Sequence, residues 1–144
     1  MPERLSFIDF QLPTLVDQPP EGDGWIHEVK FDGYRTELII ARGEARAFTR
    51  NGHDWSTKYG PIVEAAASLP VTSAILDGEV IVLKGGVSDF GALRSAIRRQ
   101  PDRLIFVGFD LLHLNGKDFA PSSPGGAPHC TGRPHRRHVG SHSI

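Results

Sequence analysis

The sequence predicts an α+β domain, a mainly antiparallel sheet with packed helices, and three observations carry that reading. Short β-branched and apolar runs alternate with Gly- and Asn-containing turns from Trp25 onward. Two segments, 60–69 and 88–97, instead repeat their apolar residues at helical spacing. The chain has 144 residues, 39% hydrophobic and 23% charged, which fits one domain of common size, about 100–150 residues, with enough apolar surface for a core.

In chain order, Pro13, Pro19, Pro20, Gly22 and Gly24 punctuate residues 1–23, a proline-rich lead-in. Trp25 to Val29 reads as a strand, in which alternate residues share a face. Tyr34–Ala41 and Ala45–Thr49 form a hairpin about the turn Arg42-Gly43-Glu44, and Arg50-Asn51-Gly52-His53 supplies the next turn. Ile62, Val63, Ala66 and Ala67 define a helix that starts near Pro61 and stops at Pro70. Val71–Leu76 and Val80–Leu83 read as two strands around Asp77-Gly78-Glu79, closed by Lys84-Gly85-Gly86. Ser88 caps a helix whose stripe is Phe90, Leu93 and Ile97. Leu104–Leu112 is an apolar run expected to be a strand buried on both faces, turned by Asn115-Gly116. The resulting division is 1–23 lead-in, 24–118 folded domain, and 119–144 a disordered tail too poor in apolar residues to build a core.

Charge and cysteine content exclude several classes. Net charge is −1, so charge alone does not announce nucleic acid. The balance is uneven, because residues 120–144 hold three arginines and no acid. Cys130, the single cysteine, excludes an internal disulfide and agrees with a reducing compartment. No run of about 18 apolar residues and no basic-then-apolar leader exists, so no membrane partner is expected and the expected location is cytoplasmic.

The chemistry concentrates in Glu28-Val-Lys-Phe-Asp-Gly-Tyr-Arg-Thr36. Lys30, Asp32, Gly33 and Arg35 place an amine, a carboxylate, a bare backbone and a guanidinium in one short segment, a set suited to a phosphate ester under attack. An amine of reference pKa about 10.4 becomes nucleophilic only when burial or a nearby cation lowers that value. Gly33 is expected to let the main chain turn where a side chain would obstruct a ligand, and the plainer readings are Lys30 as a solvated strand lysine and Asp32 as a turn former. Glu79 lies between two apolar runs, where an acid needs a reason. Arg50 sits beside a turn, within reach of a phosphate, and Phe109 is either core or a stacking ring.

Glu28-Val-Lys-Phe-Asp-Gly-Tyr-Arg35 resembles motif I of the covalent nucleotidyltransferases, and most closely that of ATP-dependent DNA ligases of the bacterial end-joining type. Thr49-Arg50-Asn51-Gly52, Ile75-Leu-Asp-Gly-Glu-Val80 and Phe106-Val-Gly-Phe-Asp-Leu-Leu112 resemble motifs Ia, III and IIIa, in the expected order. The resemblance implies part of a nucleotidyltransferase (ATP-grasp-like) adenylation domain. It makes Lys30 the nucleophile that takes AMP from ATP before passing it to a 5′-phosphate at a DNA nick. It further implies adenine contacts from Glu28 and Phe109, ribose or phosphate contacts from Arg35 and Arg50, and ribose or metal contacts from Glu79 and Asp32, with Mg²⁺ or Mn²⁺ as the ion. The implied partners are nicked double-stranded DNA, end-joining repair proteins, or a separate chain carrying missing motifs. RNA ligases and GTP-using capping enzymes share motif I and are the alternative, as is a non-catalytic remnant.

Two family elements expected after motif IIIa, a Glu-Gly strand and a Lys-x-Lys strand, have no counterpart after Lys117, so the sequence reads as truncated or frameshifted and sealing by this chain alone is not expected. The tail's His129, Cys130, His135, His138 and His142 match no defensible zinc spacing.

Overall fold

The computed structural model describes residues 5–10, 17–18, 22–23, 26–27, 29–119 and 137–138. The elements are β1 (Ile26–His27), β2 (Tyr34–Ala41), β3 (Glu44–Thr49), α1 (Gly60–Ala67), β4 (Ser73–Ile81), β5 (Leu83–Lys84), β6 (Val87–Ser88), α2 (Phe90–Arg99), β7 (Ile105–Leu114), β8 (Lys117–Asp118) and β9 (Arg137–His138). The chain divides into two units, Met1–Asp9 with Asp32–Ala120, and Phe10–Phe31 with Pro121–Ile144. In the second unit the described element is a parallel pairing of β1 with β9, Ile26 opposite Arg137 and His27 opposite His138. The rest of the expected disordered tail, and Trp25 and Glu28 of the expected first strand, lie outside the described residues.

The first unit is built on an antiparallel sheet of order β3-β2-β4-β7-β8. The β2–β3 hairpin turns on Arg42 and Gly43, at φ 56° and 77°. Two positive-φ residues give the primed turn whose twist matches the flanking strands. A second, two-residue hairpin pairs β5 with β6 around Gly85 and Gly86, both at positive φ.

The segment Asp77-Gly78-Glu79 is not a turn. Ser73 to Ile81 is one nine-residue strand at the centre of the sheet. Asp77, Gly78 and Glu79 face Glu37, Thr36 and Arg35 on β2, and Asp110, Gly108 and Val107 on β7. A turn here would strand those backbone groups without partners. The glycine is required for space: a Cβ at Gly78 would stand 2.4 Å from Phe106 Cζ and 2.4 Å from the Val107 carbonyl oxygen. The ring of Phe106 occupies the place that a side chain would take.

Both helices cover one face. Leu38 and Ile40 of β2, Val80 and Val82, Ile62 and Ala66 of α1, and Leu93 and Ala96 of α2 form the larger core with Tyr59. α1 begins with Pro61 in its first turn, where the missing N–H costs nothing. α2 is capped by Asp89, not Ser88: Asp89 Oδ1 accepts from the Ala92 amide at 2.7 Å. The Ser88 hydroxyl is taken by another donor, the Asp32 amide, at 3.0 Å.

The opposite face carries a smaller cluster of Ile39, Phe48 and Ile75, packed by Leu5, Phe7 and Ile8. Part of the proline-rich lead-in is therefore a strap over the sheet. Among the described residues helices lie on one side only, and β7 is not buried on both faces: Ile105 is 41% and Leu111 37% exposed, and of its residues only His113 is buried. Irregular register between Ile75 and Leu76 and between Asp77 and Gly78 adds to this.

At the far end of β7 a polar corner joins three elements. His113 Nε2 receives the Gly116 amide at 3.2 Å and lies 3.1 Å from Ser73 Oγ. Because Nε2 accepts, Nδ1 carries the proton and donates to Asp118 Oδ1 at 2.5 Å. Asn115 Oδ1 accepts from the Thr72 and Ser73 amides in the same corner. The order Ser, His, Asp mimics a hydrolytic triad, yet the Nε2 lone pair is shared with a backbone amide and the group works as a latch on short β8.

Gly78→Ala should lower stability in urea by about 2 kcal/mol or more through overpacking, and pairing it with Phe106→Leu should recover part of that loss.

Candidate functional site

The face of the sheet opposite α1 and α2 carries the polar residues, for a reason of register. Successive strand residues alternate faces, and Leu38 and Ile40 face the helices while Ile39 does not. Arg35 and Glu37 share the Ile39 side, and on β4 Asp77 and Glu79 share the Ile75 side. Arg35 stands opposite Glu79, and Glu37 opposite Asp77. The guanidinium reaches diagonally: Arg35 Nε donates to Asp77 Oδ1 at 3.1 Å and Nη2 to Oδ2 at 2.7 Å. The two side chains are 23% and 5% exposed. The same guanidinium lies 5.7 Å from the centroid of the Phe109 ring.

Electrostatics follow from that placement. Hydrogen bonding to Asp77 raises the Arg35 pKa above its usual value, against burial and with help from the charges of Asp77, Glu79 and Asp110. Burial raises Glu79 above the usual carboxylate range, even though Arg35 and the Gly33 backbone favour its ionised form; Asp77 and Asp32 add to the rise. Glu37 is fully buried. Its Oε1 accepts from the Ile8 amide of the strap at 3.0 Å, and Oε2 has no partner among the described residues. Burial first, then Asp77 and Asp9, push it up to about 7.

Gly33 serves as a spacer. A Cβ there would stand 2.2 Å from the Val80 carbonyl oxygen and 3.0 Å from Glu79 Cγ, so the segment crosses β4 too closely for any side chain. The expectation of a turn glycine gives way to one of close approach, since its φ is not in the left-handed region. Asp32 is exposed and is anchored by its amide to Ser88. Gly33, Arg35, Glu79 and Phe109 thus come together, with Asp32 in electrostatic reach of Glu79. Arg50 is exposed in the turn after β3. Lys30 is exposed and belongs to the other unit. Among the described residues no group of three His, Cys, Asp or Glu is arranged to hold a metal ion.

Asp77, Glu37 and Asp110 escaped the sequence reading. The signal for Asp77 was its spacing of two from Glu79, which puts both on one face once the segment is a strand. Glu37 stands in the same relation to Arg35.

Residues 13–123 match the family described as the ATP dependent DNA ligase domain. The chain belongs to that family. Among ligase relatives, it is 41% identical over 120 residues to the multifunctional non-homologous end joining protein LigD of Pseudomonas aeruginosa, covering 82% of this chain and 14% of that protein. It is 34% identical over 125 residues to the bifunctional LigD of Bacillus subtilis, covering 74% of this chain and 20% of that one. The crystal structure of the Mycobacterium tuberculosis LigD ligase domain superposes with a TM-score of 0.56 at 35% identity, over 63% of this chain and 30% of that one. A mycobacterial DNA ligase D complexed with ATP and MES gives a TM-score of 0.55 at 34% identity, with the same shares. The antiparallel sheet with its two helices is therefore the ligase-domain fold, and the chain spans under a third of each of these relatives.

Two outcomes test the site's electrostatics. Glu37 ionises near 4.5 when unfolded and near 7 when folded, so the folded state holds the extra proton between those values. Its contribution is fully present below pH 4.5 and is lost as pH rises through 7, about 3 kcal/mol in all; Glu37→Gln should flatten that slope in urea titrations from pH 4.5 to 8. Arg35→Ala should cost about 2–3 kcal/mol by leaving Asp77 unpaired, and Arg35→Ala/Asp77→Ala should be more stable than Arg35→Ala alone.

Proposed function

We propose that this protein is the nucleotide-charging part of an ATP-dependent DNA ligase, with Lys30 as the residue that carries AMP. The observation that supports this most is the fixed Arg35 fork beside Glu79 and Phe109 on one sheet face, directly following Lys-Phe-Asp-Gly in sequence. A relative of the same fold is described in complex with ATP. The donor set suits that nucleotide: a ring for the base, a carboxyl able to hold or accept a proton for the ribose, a guanidinium for phosphate and an exposed amine.

In this reading the Lys30 amine attacks the α-phosphorus of ATP, a P–N bond forms, the P–O bond to pyrophosphate breaks, and the amine gives up its proton. AMP then passes to a 5′-phosphate at a nick in double-stranded DNA, and the 3′-hydroxyl displaces it. Glu28 and Phe109 hold the adenine, Glu79 and Asp32 the ribose, and Arg35 and Arg50 the phosphates. Arg35 cannot swing freely, because Asp77 fixes both nitrogens of its fork, so its charge is aimed before the nucleotide arrives. Mg²⁺ or Mn²⁺ would neutralise triphosphate charge; Asp32 and Glu79 would hold it only together with phosphate oxygens and water, as such ions are commonly bound. End-joining repair proteins are the natural partners, and Gly33 is where the segment after Lys30 must stay bare.

Incubation with radiolabelled ATP, GTP or NAD, then denaturation and peptide mapping, should leave label from ATP alone on Lys30. Lys30→Ala should abolish it, whereas label retained from GTP would assign a capping-type enzyme, and no label from any nucleotide would remove the catalytic reading.

A further inference from the structure

On the helix side of the sheet, opposite Arg35 and Glu79, lies a groove of about 600 Å³. Its cations are Lys58, Arg94, Arg98 and Arg99, and its floor includes Tyr34 and Trp55. No acid lines it. Arg94, Arg98 and Arg99 are exposed along α2, and none of the four cations makes an ion pair with a described acid. Four of the chain's 16 Lys and Arg residues meet in this groove although the net charge is −1.

The arrangement carries a cost that packing does not explain. α2 needs Leu93 and Ala96 for the core, and any polar residues would serve on its outer side. Arg94 and Arg98, one turn apart, repel each other by a few tenths of a kcal/mol, and Arg99 adds a third cation beside them. Arg98 and Arg99 complement the helix C-terminus, but Arg94 does not. Lys58 is held in place by Trp55, with Nζ 3.9 Å from the ring centroid, so its charge is presented to the groove at a reduced entropy cost. Trp55 is itself braced edge-on by Tyr34 and Tyr59, at 5.5 and 5.7 Å. Arg94 and Arg98, whose spacing puts their Cβ atoms about 5–6 Å apart, together with the braced Lys58 suit a polyanion with regularly repeated charge.

We infer that this groove binds the phosphodiester backbone of double-stranded DNA, as a second contact on the opposite face of the sheet from the nucleotide site. The contact rests on the ligase reading for its choice of polyanion. It positions the duplex and reads no sequence, since arginine to phosphate contacts carry no base information. Its strength falls with salt through counterion release.

The test uses the full chain and a fluorescent nicked duplex, followed by anisotropy between about 50 and 200 mM salt. Arg94→Glu/Arg98→Glu should weaken binding at least about tenfold at the lower salt and make the salt slope shallower by about 2. Lys84→Glu/Lys117→Glu, which reverses two exposed cations elsewhere, should shift it far less. Thermal transitions should match the parent chain, because all four positions are exposed. Equal losses in the two double variants, or no duplex binding by the parent, would overturn the inference. So would polyglutamate displacing the duplex as well as unlabelled DNA does, which would assign an acidic protein partner. ATP labelling of Lys30 on the same samples separates the two readings. Label with DNA binding indifferent to α2 leaves only the charging reading, and α2-dependent binding without label leaves only the groove.

Discussion

One guanidinium holds the polar face of the sheet together. Arg35 leaves β2 and grips both oxygens of Asp77 on β4, while Glu79 and Asp110 add their charge to the same cation. Asp77 is nearly inaccessible, and an uncompensated carboxylate at that depth would cost several kcal/mol. The pair therefore sets more than charge balance. Its diagonal reach is possible only in the observed register, and a slip of one residue would turn Arg35 toward the helices. The orientation of the fork, the burial of Glu79 and the approach of Phe109 all depend on it.

The surroundings reinforce that geometry by removing bulk. Gly33 passes so near Val80 and Glu79 that only hydrogen fits. Ser88 fixes the neighbouring Asp32 amide, and Asp89 then starts α2. A single Ser-Asp dipeptide thus ties the site segment to the helix that presents the basic groove. Behind the site, the strap residue Ile8 supplies the one hydrogen bond that buried Glu37 receives from a described donor. Loss of the strap would leave that carboxyl with neither partner nor cover.

Much of this architecture is legible in the sequence. The hairpin at Arg42-Gly43 and the helices over 60–67 and 90–99 announce themselves by turn chemistry and periodicity, which are local properties. The candidate residues Gly33, Arg35, Glu79 and Phe109 are singled out by resemblance to ligase motifs, and the sheet brings these four near one another. The misread elements share a cause. Asp77-Gly78-Glu79 has turn composition but lies mid-sheet because partners distant in sequence satisfy it on both sides. Ser88 looks like a cap, and only the Asp32 amide, 56 residues away, explains why it is not. The run 104–112 looks doubly buried because sequence alone does not show that α1 and α2 cover the same face. Asp77 and Glu37 stayed hidden for the same reason, since their roles are defined across strands.

The ring of Phe106 closes over two glycines, Gly78 on the central strand and Gly108 on its neighbour. Backbone that would otherwise be open to water is roofed by one aromatic side chain. A smaller residue at 106 would free only one side of position 78, because the Val107 carbonyl oxygen would still stand 2.4 Å from a Cβ there. The same roof lies across the strands that carry Glu79 and Phe109, so two glycines with no chemistry of their own are tied to the candidate site next door.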